Sequence, residues 1–170
     1  IFILAQWLNL KNLNIGKNIS MNISKIIKKK SIPSFCTANL VVLKLLIKFC
    51  KKNKLPLLLE TTSSQVNQYG GYTKTKPRQF YKKIKSLIRK EKFNLNNFFY
   101  GGDHLGPLPW KNLSSKKAIK NSIKLVDDYL NSNCSKIHID TSIKCADDKL
   151  LNNDQIFERS VHIIKNLKFK

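Results

Sequence analysis

Acidic side chains, arginine, histidine and cysteine are all scarce in this chain, and each shortage closes off a class of protein. Ten acids stand against 32 basic residues, giving a net charge of +22, yet only Arg78, Arg89 and Arg159 are arginine. Proteins that read phosphates and base edges bidentately favour arginine, whose planar fork lysine lacks. The lysine excess is accompanied by abundant Asn and Ile, and all three share A- and T-rich codons, so the composition follows from AT-rich coding DNA without a polyanionic partner. A basic nucleic-acid-binding module remains a distinct alternative, and it would show tight binding with a steep salt slope.

Cys36, Cys50, Cys134 and Cys145 are widely spaced, with no C-x-x-C pair and only three histidines to complete a zinc finger. A disulfide framework or a structural zinc site is not expected, and a reducing, cytoplasmic setting suits the pattern. No apolar run reaches the roughly 18 residues of a membrane span. "IFILAQWL" at the start lacks the basic lead-in and small-residue cleavage pattern of a signal peptide. Methionine is rarer still: the sequence begins with Ile1 and its one methionine is Met21. Residues 1–20 are therefore expected to be a leader or upstream-translated segment, with the domain proper over 21–170.

What is present is a rhythm. "IPSFCTAN" is a short apolar strand, and "LVVLKLLIKFCKKN" (Leu40 to Asn53) has apolar residues at helical spacing. Pro56–Thr61 reads as a buried strand, followed by a glycine-bearing loop and a helix from about Pro77 to Lys92. "NNFFYGGDH" is a third strand, Ser114 and Ser115 are candidate caps for a helix reaching Leu130, and "KIHIDTS" is a fourth strand with a helix from about Asp154 to Leu167. Near-continuous apolar strands alternating with helices predict a parallel α/β sheet. A doubly wound sheet would carry a G-x-G-x-x-G turn after its first strand, and none is present. Polar clusters fall where each strand ends, as in a (β/α)8 TIM barrel, whose active site lies at the C-terminal strand ends. A full barrel takes about 250 residues, so about the first four units, half a barrel, are predicted.

Those strand ends hold the candidate chemistry. In "KIHIDTS" the two-residue period sends Ile137, Ile139 and Thr141 one way and His138, Asp140 and Ser142 the other. A His and an Asp facing a barrel interior must be hydrogen-bonded or bound to something, either as a self-satisfied network or as a site. In "GGDHLGP", Asp103 is a candidate general acid/base and His104 a candidate ligand for a carbonyl-polarising divalent metal; the other reading is a tight turn with Asp103 as helix cap. Glu60 and the segment Thr61–Tyr72, "TTSSQVNQYGGY", offer hydroxyls, amides and glycines suited to a polyol or phosphate, while Tyr69 and Tyr72 read as packing residues.

"IPSFCTAN", "PLLLETTSSQVNQYGGYT", "GGDHLGPLPW" and "KIHIDTSIKCADD", in that order, resemble the GatZ/KbaZ family, the D-tagatose-1,6-bisphosphate aldolase subunit often called non-catalytic. The family has also been labelled tagatose 6-phosphate kinase and includes 4-epimerases of keto sugars and uronates. The resemblance runs from about Met21 to Lys170. It implies a barrel of the class II aldolase type, in which Asp103 would serve proton transfer and His104 would bind a divalent metal, most simply zinc. It further implies Glu60, Gln65, Asn67, Asp140 and Ser142 as substrate-site residues, with His138 in the same strand motif. The implied partners are a phosphorylated or free keto sugar and a catalytic aldolase subunit, with neither a membrane nor a specific nucleic acid. Chain edges left open by half a barrel suggest homo-oligomers as well.

The departures are Leu108 where the family usually has Asn, Lys74-Thr75 in place of Gly-Met, and Ile143 in place of Met. Family members are also far longer, and class II aldolases take further metal histidines from later strands. With His104 as its one histidine ligand, this stretch is expected to hold an incomplete zinc site. No G-x-x-x-x-G-K-[ST] loop supports the kinase label. Two functions follow: a subunit supporting the aldolase, or a metal-dependent 4-epimerase in its own right.

Overall fold

A computed structural model describes Ile23 and residues 32–168. The expected leader, residues 1–20, lies outside the described residues. Strand and helix alternate: β1 (Ser34–Cys36), α1 (Leu40–Lys52), β2 (Leu57–Thr62), α2 (Pro77–Lys90), β3 (Phe98–Leu105), α3 (Ser115–Leu130), β4 (Lys136–Ile139) and α4 (Asn153–Lys165). The strands form one parallel sheet in the order β1-β2-β3-β4.

Sequential order has a consequence. Each crossover moves one strand along in the same direction, and right-handed connections then place every helix on the same face. The core confirms it: Leu43 and Ile47 of α1, Phe80, Ile84 and Ile88 of α2, Leu125 and Val126 of α3 and Ile163 of α4 form one cluster with Leu57, Leu59, Phe98, Tyr100, Ile137 and Ile139. Those strand residues alternate with the ones facing the other way. Leu58 and Phe99 join Ile23 in a separate small cluster, toward the N-terminal ends of the strands. Burying each such Leu or Phe side chain contributes about 1.5–3 kcal/mol.

Local signals set the helix boundaries. Asn39 caps α1 by accepting from the amides of Val41 (2.9 Å) and Val42 (3.2 Å). Pro77 opens α2, where the Gln79 side chain takes the Lys76 amide at 3.1 Å. Asn152 and Gln155 form a reciprocal capping box at α4. The expected serine cap of α3 is replaced: the Ser114 side chain makes no capping bond, and the Asp147 carboxylate accepts the Ser115 amide at 2.7 Å instead.

Two strands end differently from the expectation. β4 stops at Ile139 because Asp140 folds into a local turn, its Oδ1 accepting both the amide (2.9 Å) and the hydroxyl (2.6 Å) of Ser142. Asp140 and Ser142 therefore lie beyond the strand rather than along its inner face. The start of "NNFFYGGDH" is a short 3-10 turn, Leu95–Asn97.

A buried phenol pair ties the layers together. The Thr61 hydroxyl lies 3.0 Å from Tyr100 Oη and 2.7 Å from Tyr129 Oη, and the two rings stack at 5.7 Å. Tyr129 Oη also donates to the Val66 carbonyl at 3.1 Å, fixing the loop after β2. Burial pushes both phenols upward from their ordinary range.

Candidate functional site

The face opposite the helices turns polar toward the C-terminal strand ends. Cys36, Glu60, Asp103, Lys136 and His138 stand there, with Gly101 at the register position beside Glu60. A Cβ at Gly101 would sit 2.9 Å from Glu60 Oε1, so this glycine makes room for the carboxylate.

Asp103 is the centre of the arrangement. Its Oδ1 lies 2.9 Å from His138 Nδ1 and its Oδ2 3.1 Å from His104 Nδ1. In a regular strand Asp103 and His104 would point to opposite faces. They do not, because the ladder is irregular between Gly102 and Leu105 and His104 has φ +47°. That left-handed residue in a bulged strand turns the imidazole back beside its neighbour. Ser63 braces the turn, its hydroxyl donating to the His104 carbonyl at 3.2 Å. Gly106 lets the chain leave close to β4, since a Cβ there would be 1.6 Å from the Asp140 carbonyl oxygen.

The electrostatics favour a charged carboxylate. Burial acts to raise the Asp103 carboxyl, but the His138 hydrogen bond, the His104 imidazole and the Lys136 ammonium together outweigh it and hold the group below its ordinary range.

Asp103, His104 and His138 each offer a ligand atom within 4.8 Å of the others, so this trio can hold a metal ion. The donors suit one: two imidazoles and a carboxylate match a borderline divalent metal. The buried His138 Nε2, which has no hydrogen-bond partner among the described residues, gives structural support for that fit. Beside His104, the one histidine ligand expected, the fold brings a second imidazole to Asp103, because β4 runs beside β3 and carries His138 there. The sequence placed His138 on the right face but gave no sign of its partner.

The other expected site residues separate into groups. Glu60 is buried with both oxygens engaged: Oε1 meets Lys136 Nζ at 2.5 Å and Oε2 accepts the Ser34 hydroxyl. Gln65 takes the Thr62 amide at 3.0 Å and stands 4.0 Å from Cys36 Sγ. Asn67 is a loop brace, with Nδ2 on the Ser63 carbonyl and Oδ1 accepting from the amides of Tyr69 and Gly71. Asp140 and Ser142 bond each other at the exit of β4. Tyr69 meets Trp110 edge-on but is 64% exposed, and Tyr72 is 68% exposed, so neither is the packing residue expected.

Two residues escaped the sequence reading. Lys136 begins β4 and reaches Glu60, two strands away; nothing in a lysine-rich sequence distinguishes it from its neighbours. Cys36 ends β1 beside Asp103, and its thiol is pushed up to about 12 by burial first, then by the charge and hydrogen bond of Asp103 and the charge of Glu60. Its position at a strand end in "IPSFCTAN" was the one signal available.

The sequence pattern of the D-tagatose-1,6-bisphosphate aldolase subunit GatZ/KbaZ-like family matches residues 18–168. The chain belongs to that family. A crystal structure described as a probable tagatose 6 phosphate kinase from Sinorhizobium meliloti 1021 superposes with a TM-score of 0.76 at 32% identity. The match covers 80% of this chain and 35% of that protein, so the chain spans about a third of its relative's length. The trio, supplied by "GGDH" and "KIHID", lies within the span that matches the GatZ/KbaZ-like family.

Proposed function

We propose that this protein is a carbohydrate-metabolism subunit that supports a class II D-tagatose-1,6-bisphosphate aldolase, and that its four strand-helix units form the first half of a (β/α)8 barrel. Family membership supports the first part, and the sequential parallel sheet with helices on one face supports the second. The reaction served is reversible cleavage of the ketose bisphosphate to glycerone phosphate and glyceraldehyde 3-phosphate, with a partner subunit performing the catalysis in the cytoplasm.

The observation that carries this reading is the Asp103–His104–His138 cluster at the strand ends, where an aldolase-type barrel binds its sugar. A divalent metal held there would polarise a keto or hydroxyl oxygen of the sugar. Cys36 and Lys136 border the same face, with Gln65 and the Asp140–Ser142 turn at its rim. The test is to assay a cognate aldolase with and without the full-length protein. Raised activity or thermal stability, with co-purification, is expected; neither effect would reject the subunit role.

A second reading, a metal-dependent 4-epimerase of keto sugars, is favoured by one feature: the trio lies wholly within this chain and needs no partner to form. Turnover of fructose- or tagatose-type substrates by the protein alone, lost in Asp103→Asn, would select it over the supporting role.

A further inference from the structure

The resemblance assigns Asp103 to proton transfer, but its surroundings give it different work. Both carboxylate oxygens already face imidazoles, Oδ1 with His138 Nδ1 at 2.9 Å and Oδ2 with His104 Nδ1 at 3.1 Å. An ionised carboxylate accepts hydrogen bonds and cannot donate them. Each neutral imidazole bonded to it therefore carries its proton on Nδ1, which leaves Nε2 as a bare acceptor.

At His138 that bare acceptor is buried. The residue is 8% exposed, and its Nε2 has no hydrogen-bond partner among the described residues. Buried polar atoms are nearly always satisfied, so an orphaned one calls for something that meets it. His104 stands alongside with ring centroids 4.5 Å apart, held there by a left-handed backbone that is uncommon outside glycine. Two adjacent imidazoles that both turn Nδ1 to one carboxylate match the pattern in which an acid orients histidine ligands and leaves the metal to the imidazoles.

We infer that Asp103 is a positioning carboxylate, and that His104 and His138 bind a borderline divalent metal such as zinc through their Nε2 atoms. This inference rests on reading the cluster as the metal centre of an aldolase-type subunit, and it changes who touches the metal. Mg2+ and Ca2+, which require mostly oxygen ligands, do not suit two imidazoles.

The test uses the full-length protein, 15N-labelled and stripped of metal, with long-range 1H–15N spectra of its imidazoles. Expected without metal are protonated Nδ1 and unprotonated Nε2 on both His104 and His138. Adding zinc should shift the Nε2 resonances of both while Nδ1–H persists, and His162, exposed on α4, should not move. An Nε2–H tautomer at either ring, a zinc-dependent shift at Nδ1, or no zinc response at these rings would overturn the inference.

Titration of folded variants supplies the second arm. Asp103→Asn should weaken zinc binding by roughly 10–100-fold, as loss of an orienting group does, and His138→Gln should abolish saturable binding at this site. Unchanged affinity in Asp103→Asn would overturn the positioning role. The subunit proposal fails separately: the full spectroscopic signature with no effect on an aldolase would sink that reading alone, and aldolase support without the zinc response would sink this one alone.

Discussion

His138 Nδ1 lies 2.9 Å from Asp103 Oδ1, joining adjacent parallel strands on the face of the sheet opposite the helices. Neither residue is near the other in sequence. Their meeting turns an Asp-His dipeptide into a three-residue centre, and the surrounding architecture can be tested at several points.

The Glu60–Lys136 pair is the floor beneath that centre. Glu60 is buried, and removing the lysine leaves its carboxylate with the Ser34 hydroxyl as its remaining close partner among the described residues. Lys136→Met should destabilise the protein by about 3–5 kcal/mol, the usual consequence of stranding a buried charge. Glu60→Gln combined with Lys136→Met should recover a large part of the loss. Urea midpoints of the three variants measure this, and a Lys136→Met shift below about 1 kcal/mol would contradict the account.

Gly106 is required by contact. A methyl group there would overlap the Asp140 carbonyl oxygen, at 1.6 Å, where the chain leaves β3. Gly106→Ala should cost on the order of 3 kcal/mol or more, because the new Cβ meets a backbone oxygen that cannot swing aside as a side chain could. The variant's melting temperature decides it, and a value matching wild type would show that the two strand exits are not held this closely.

Acid sensitivity should localise to the β4–α4 connection. Arg159 holds Asp148 with two bonds of 2.9 and 2.5 Å, and this pairing, helped by the Cys145 amide, keeps the carboxyl below its ordinary range despite burial. A depressed carboxyl contributes stability that is fully present above its unfolded value, about 3.9, and lost as pH falls through the lower folded value. Asp148→Asn should therefore be less stable than wild type at pH 7, and the gap should narrow as pH drops below about 4. Denaturant midpoints across that range give the curve; a gap that widens in acid would refute the sign.

Cys36 is exposed yet should be unreactive. With its thiol pushed up to about 12 and held beside Asp103, little thiolate exists at pH 8. Iodoacetamide should label Cys36 in the folded protein on the order of a hundredfold more slowly than in urea, and Asp103→Asn should speed it. Peptide mass spectrometry reads both rates, and equal rates folded and unfolded would contradict the site electrostatics.

Much of this was legible in the sequence because its signals are local. Helical spacing gave Leu40–Asn53 for a helix observed over Leu40–Lys52, and the continuous apolar run gave β2 to within a residue at each end. The alternation in "KIHI" correctly sent His138 away from Ile137 and Ile139. What the sequence concealed depends on contacts between strands. The register that sets Thr62 against Asp103, the irregularity that turns His104 back, and the reach of Lys136 to Glu60 are all non-local. Asp140 and Ser142 were misplaced for another reason: a side chain that bonds its own backbone competes with the strand ladder, and here it ended β4 at Ile139.

The most direct test of the proposed metal centre is anomalous X-ray scattering at the zinc edge from crystals of the full-length protein grown with zinc. One peak is expected, within about 2.0–2.1 Å of a ring nitrogen from each of His104 and His138. No peak at that pair, with zinc bound elsewhere or not at all, would contradict it.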